Sequence, residues 1–150
     1  MVQRAIEQDA AVLAGLALLL WNDHDAAELR NAFSEMLKSE GAACFLAYEA
    51  GVPAGFAQCQ LRHDYVEGAQ TSPVGYLEGI FVLPEFRRQG LAGELLAACE
   101  DWAREQGCKE FASDCELENN ASLNFHLRMG FAEVNRIVCF TKTLQNRRRE

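Results

Sequence analysis

The amino-acid sequence predicts an α/β chain (an α+β mixed sheet) with helices on both faces of one central sheet. Three observations predict it. β-like apolar runs and Ala/Leu-rich helical runs interleave in the order βααββ, then β-α-β-α-β. Turn and cap residues fall between the runs rather than inside them. Finally, 150 residues with 49% hydrophobic and 24% charged side chains suit a single domain over 1–150. A chain of that length buries roughly two thirds of its unfolded surface, enough for a core without metal or disulfide staples.

Residues 1–6 read as a short first strand. Residues 11–21 are rich in Ala and Leu, which favour helix, and Asp9 stands where a cap would. The polar stretch 22–25 breaks that helix. Over 26–38, Leu29, Phe33, Met36 and Leu37 recur at helical spacing. Residues 43–48 and 55–61 are β-like and flank the turn signal EAGVP, which makes a hairpin. Residues 63–73 are polar, contain Gly68 and Pro73, and read as a loop of the kind that carries binding residues. YLEGIFVL at 76–83 is a strand stopped by Pro84. Residues 91–106 form an amphipathic helix with Leu91, Leu95, Cys99 and Trp102 near one face, closed by Gly107. A strand at 110–115, a shorter helix at 119–129 ended by Gly130, and a last strand or pair of strands at 132–144 complete the pattern. The tail NRRRE at 146–150 reads as a frayed end.

A net charge of −8 argues against a nucleic-acid partner, because phosphate would be repelled; it is compatible with a cationic small molecule or a basic partner, and by itself equally with a charge that only aids solubility. The longest apolar stretch, 10–21, is too short to span a bilayer, and MVQRAIEQDA lacks the layout of a signal peptide. No membrane association is expected. Cys44, Cys59, Cys99, Cys108, Cys115 and Cys139 form no CxxC and no zinc-ligand spacing. They read as small hydrophobes in a reducing, cytoplasmic setting, and no metal is expected.

The segment that carries chemistry is YLEGIFVLPEFRRQGLAG at 76–93. A strand feeds a turn, then a glycine-bearing loop that opens a helix. Arg87, Arg88, Gln89, Gly90, Leu91 and Ala92 fit R-x-x-G-x-A. Small residues at 90 and 92 let backbone approach a pyrophosphate, and the first helical N–H groups with the helix dipole favour its charge. The motif by itself also fits a plain helix start; the strand-loop-helix context is what a phosphate cradle needs. Glu78 is the lone carboxylate in its strand. Alternation places it with Tyr76, Ile80 and Val82, a face too apolar for a simply exposed residue.

This run resembles the GCN5-related N-acetyltransferase (GNAT) superfamily. The hairpin sequence FLAYEAGVPAGFA, the strand before the loop, and 119–131, which is similar to N-x-x-A-x-x-x-Y-x-x-x-G-F, match that family in order over nearly the whole chain. RHDYVEG at 62–68, SPVGYLEGIFVLPEFRRQG at 72–90, FASDCELEN at 111–119 and LLWNDHDAAEL at 19–29 resemble aminoglycoside 6'-N-acetyltransferases more narrowly. The implied fold is the GNAT-like acyl-CoA N-acyltransferase fold.

The resemblance implies roles. Glu78 would bind the acceptor amine and help remove its proton, through water. Asp114 would bind the acceptor, although a turn or helix-cap role fits it equally from sequence. Trp21 and Tyr65 would wall a sugar ring, Trp21 being as readily a core residue, and Glu133 would add a cation contact. His126 stands where many members have a tyrosine that protonates the departing thiolate; a structural histidine fits as well. Backbone of Ile80, Phe81 and Val82 would pair with the pantetheine arm of acetyl-CoA, and N–H groups over Arg88 to Gly93 would hold its pyrophosphate. Asn119 would contact the same co-substrate.

The expected function is therefore acetyl transfer from acetyl-CoA to an amine, with the 6'-amine of an aminoglycoside as acceptor. The expected route is direct transfer in a ternary complex. An acetyltransferase acting on a polyamine or protein amine, and a non-catalytic acyl-CoA-binding module, are the alternatives. A homodimer, through the C-terminal strands, is also implied by the resemblance.

Overall fold

Ala50 and Gly51 both take left-handed backbone, with φ of 50° and 78°. That two-residue turn matches the twist of the strands it joins. It closes β2 (Ala42–Glu49) onto β3 (Val52–Arg62) in the predicted hairpin. The computed structural model describes residues 1–147, so the last three residues of the predicted tail lie outside the described residues. The remaining elements are β1 (Val2–Arg4), α1 (Ala10–Leu20), α2 (Ala26–Leu37), β4 (Val74–Val82), α3 (Leu91–Glu105), β5 (Phe111–Ala112) and α4 (Asn120–Arg128). The five strands lie in sequence order. β1 to β4 pair antiparallel and β5 joins β4 in parallel, so the sheet is mixed.

The sheet is covered on both sides. On one face α3 sets Leu91, Leu95, Cys99 and Trp102 against Phe45, Ala57, Cys59 and Leu77. On the other, α1 and α2 set Leu13, Leu16, Leu29 and Phe33 against Cys44, Leu46 and Phe56. β2 is thus buried on both faces, which is why its sequence is a continuous apolar run rather than an alternation. All six cysteines are free thiols, four of them buried. Burial pushes the Cys44 thiol up to about 12, and it holds no reactive thiolate at neutral pH. Among the described residues no helix is long and apolar enough to cross a membrane.

Three expectations need correction. Asp9 occupies the N-cap position of α1 but makes no cap bond to it. A 3-10 turn over Glu7–Asp9 runs straight into α1, and the carboxylate turns upstream to accept the Ile6 N–H at 2.8 Å. The strand expected at 110–115 shrinks to two residues, because β4 and β5 diverge after Gly75 meets Phe111 and Tyr76 meets Ala112. The segment 132–144 forms no strand at all. A strand needs a neighbour for its backbone groups, and this stretch runs exposed with none among the described residues.

Leu95 is fully enclosed between α3 and the sheet. Leu95→Ala is expected to cost about 2–5 kcal/mol of stability, read as a lower urea midpoint with unchanged slope.

Candidate active site

Cys59 faces Leu77 across the β3–β4 pair, and Gln58 faces Gly79. Glu78 is the extra residue between them, a β-bulge. The bulge resets the alternation along β4. Ile80 and Val82 pack with the α3-side core, whereas Glu78 points to the opposite face, beside Arg62 and Tyr76. The expectation that Glu78 shares a face with Ile80 and Val82 is therefore wrong, since a period of two does not survive an inserted residue. Tyr76 and Glu78 do share a face.

Four side chains meet there. Arg62 Nη2 donates to both Glu78 carboxylate oxygens, at 2.5 and 3.0 Å. The guanidinium carbon lies 3.5 Å from the Tyr76 ring centroid, a stacked cation–π contact. The Tyr76 hydroxyl donates to Asp114 Oδ2. Burial, then the bond to Asp114, holds the Tyr76 phenol well above the ordinary tyrosine range, so it remains a donor. The Glu78 side chain is 18% exposed and that of Arg62 38%. A carboxylate that enclosed needs a cation beside it, and Arg62 supplies one.

Trp21 ends α1 and lays its ring against Gly79. A Cβ on Gly79 would fall 2.6 Å from Trp21 Cζ2, so only glycine fits beneath the indole. The ring also packs edge-on to Phe56 at 6.0 Å. Trp21 thus lines the strand position next to Glu78 while packing with the core on the α1–α2 side. Tyr65 stands in the predicted loop, 80% exposed, its hydroxyl donating to Glu67 at 2.7 Å. That bond, followed by one from Asn135, holds the Glu67 carboxyl below the usual range.

Other candidates are placed differently. Asn119 caps α4, its side chain accepting the Ser122 N–H at 3.1 Å. The cap role weighed for Asp114 therefore belongs to Asn119. His126 has both ring nitrogens engaged: Nδ1 lies 2.7 Å from the Ser122 carbonyl oxygen and Nε2 2.8 Å from the Ser113 hydroxyl. A carbonyl only accepts, so Nδ1 carries a proton and donates to Ser122, which leaves Nε2 to the Ser113 hydroxyl. Glu133 pairs with Arg136 on the exposed C-terminal segment instead of joining Glu78 and Asp114.

The edge of β4 away from β3 is paired with β5 only at Gly75 and Tyr76. From Leu77 to Val82 it carries no neighbouring strand among the described residues, which leaves backbone of Ile80 to Val82 on an open edge. The turn that follows leads to α3. Gly90, at φ 82°, is its N-cap, makes no side-chain cap bond, and would give an added Cβ nothing to touch within 4 Å. Arg88 is also left-handed, at 65°. No side chain caps the start of α3, so its first N–H groups are left without a cap acceptor. Arg87 is not aimed there: its Nε donates to the Val82 carbonyl at 2.8 Å, tying the loop to the strand end.

Arg62, Tyr76 and Ser113 were not singled out for roles from sequence. Arg62 and Ser113 lie inside the quoted stretches RHDYVEG and FASDCELEN, but only strand register shows what they touch.

The family model for the acetyltransferase (GNAT) family matches residues 11–131. An aminoglycoside N(6')-acetyltransferase type 1 of Salmonella typhimurium (strain LT2) is 45% identical over 129 residues, 85% of this chain and 88% of that protein. One from Stenotrophomonas maltophilia is 40% identical over 96% of this chain and 94% of that protein. The solved structure of AAC(6')-Iy in complex with the bisubstrate analog CoA-S-monomethyl-acetylneamine superposes with a TM-score of 0.92 at 38% identity, covering 96% of this chain and 98% of that one. The fold is thus a known one, and the chain belongs to the acetyltransferase (GNAT) family.

Proposed function

We propose that the whole chain is one N-acetyltransferase domain that moves an acetyl group from acetyl-CoA to the 6'-amine of an aminoglycoside. The observation that carries this is the pair of carboxylates, Glu78 on β4 and Asp114 just beyond β5, joined through Arg62 and Tyr76 beside the open edge of β4. A polycationic sugar suits acidic groups on that face. The names of the relatives support the same acceptor and donor. Backbone of Ile80 to Val82 would receive the pantetheine arm as an added strand, and the turn at Gly90 with the start of α3 would receive the pyrophosphate. Among the described residues no cluster of histidine, cysteine and acids has the makings of a metal site.

In this reading Glu78 takes the proton of the acceptor amine, through water, and the neutral amine attacks the thioester carbonyl directly. Trp21 and Tyr65 flank the sugar. His126 serves the site through Ser113 and the start of α4, because its own nitrogens are already bonded. Asn119 has committed its oxygen to the cap, which leaves its amide nitrogen for the co-substrate. A cytoplasmic location, where acetyl-CoA is made, belongs to the same proposal.

A homodimer built through the C-terminal segment is the second part. Val134, Ile137, Val138, Phe140 and Leu144 are all more than half exposed, with Phe140 at 92%. The outer edge of β5 is unpaired among the described residues, beside a recess of about 240 Å³ lined in part by Phe111, Met129 and Phe131. An extended arm with exposed apolar side chains and an open strand edge are complementary needs that a second copy meets.

Coenzyme A release is expected with kanamycin or tobramycin as acceptor; no turnover above background with any aminoglycoside would remove the acceptor assignment. Glu78→Gln is expected to lower kcat about 100-fold or more, the usual worth of a positioned base, and an unchanged kcat with an unchanged pH profile would refute that role. Light scattering is expected to give twice the chain mass for the full protein and the chain mass for a version ending at Phe131. Equal masses would count against the arm.

A further inference from the structure

We propose that Arg62 is a specificity-determining counter-ion: it occupies Glu78 in the free enzyme, and an ammonium group of the acceptor must displace its Nη2 to reach that carboxylate. The inference rests on the reading of Glu78 as the acceptor-side carboxylate and deepens it.

The geometry points to a placeholder rather than a permanent clamp. One nitrogen, Nη2, straddles both oxygens of Glu78. A fork of two parallel bonds, the arrangement that makes arginine–carboxylate pairs rigid, is not what Arg62 uses. Among the described residues, Nε and Nη1 of Arg62 make no hydrogen bond. Its side chain is more exposed than that of its partner, at 38% against 18%, so it has room to swing while Glu78 stays enclosed. The Tyr76 ring gives the guanidinium a surface to slide on, since a cation–π contact tolerates lateral shifts better than a hydrogen bond does.

Charge accounting gives the consequence. Two formal carboxylate charges and one guanidinium leave the cluster with a single net negative charge, Tyr76 being neutral. A cationic acceptor therefore meets a half-neutralised site. It gains Glu78 only by breaking an existing ion pair, and the displaced guanidinium stays nearby as a like charge. Arg62 thus discriminates against weakly binding cations. A carboxylate with no incumbent would bind many amines, whereas this one exchanges only for an acceptor held elsewhere as well. It also keeps an enclosed carboxylate paired between turnovers, which holds Glu78 in one orientation.

The test is binding by titration calorimetry with coenzyme A present, using kanamycin as the probe, on wild type, Arg62→Met and Arg62→Lys. Methionine keeps an unbranched stem about as far as the Nε position but removes the guanidinium, its charge and its contact with Tyr76. The expected result is that Arg62→Met binds kanamycin about fivefold more tightly at low salt. The gain should shrink toward none near 0.5 M salt, where exposed charges are screened within about 5 Å. Arg62→Lys should fall near wild type. In steady-state kinetics the acceptor KM of Arg62→Met should fall by more than kcat changes. Wild type that fails to bind kanamycin overturns the acceptor reading itself. Wild type that binds, with Arg62→Met equal or weaker, overturns the counter-ion role alone, because a residue that merely aligns Glu78 would lose affinity or kcat on removal. A structure of wild type with kanamycin serves if the variants fail to fold. There, Arg62 Nη2 should stand beyond hydrogen-bond distance of Glu78, and its remaining bound would refute the exchange.

Discussion

Leu77 and Gly79 each have a partner across the β3–β4 pair, and Glu78 between them has none. The site depends on that inserted residue. Without it, strict alternation would put the carboxylate on one face with Ile80 and Val82, and β4 would run flat against its neighbours. With it, Glu78 turns toward the end of β3, where Arg62 can reach it. A bulge also strengthens local twist. β4 and β5 separate just before the bulge, at the Tyr76–Ala112 pair, which frees the edge from Leu77 to Val82. The turned carboxylate and the open strand edge thus begin within two residues of each other on β4.

The surroundings of the bulge are built to hold it. Gly79 has no side chain because the Trp21 indole fills that place. Trp21 in turn packs on Phe56, and Phe56 on Phe33 of α2. The core under α1 and α2 is therefore continuous with the wall of the site, so the aromatic ring beside Glu78 is fixed by packing rather than by a flexible loop. On the polar side the restraint is electrostatic. Arg62, Tyr76 and Asp114 form a chain of contacts in which every partly buried charged or polar group has a partner. Such networks specify one arrangement when fully satisfied.

Most of the sheet and all four helices were legible because each rests on local periodicity. α2 shows its buried face through Leu29 and Phe33, and β2 shows double burial as an unbroken apolar run. Positions of Glu78 and Asp114 near each other were also within reach, since neighbouring parallel strands end at one side of a sheet. The orientation of Glu78 was not, because YLEGIFVL reads as a regular strand until its pairing with Gln58 and Cys59 is known. Arg62 was missed for the same reason: it lies 16 positions from Glu78, and contact follows from register, not from spacing. His126 and Asn119 were legible as residue types, but whether their polar atoms were free depended on Ser113 and Ser122, which carry no signal of their own.

The C-terminal segment shows the limit most plainly, and it ties back to the bulge. Residues 132–144 have strand-like composition, yet strand formation is a property of pairs. β5 contributes only two pairs to β4 and ends where the strands part. Its outer edge and the segment 132–144 are left as unmatched halves of an unfinished sheet. The splay that leaves the β4 edge open is thus the same divergence that keeps β5 short. Among the described residues, the pairing that would make a strand of 132–144 is missing for the same reason that β5 is short: the sheet ends where β4 and β5 part.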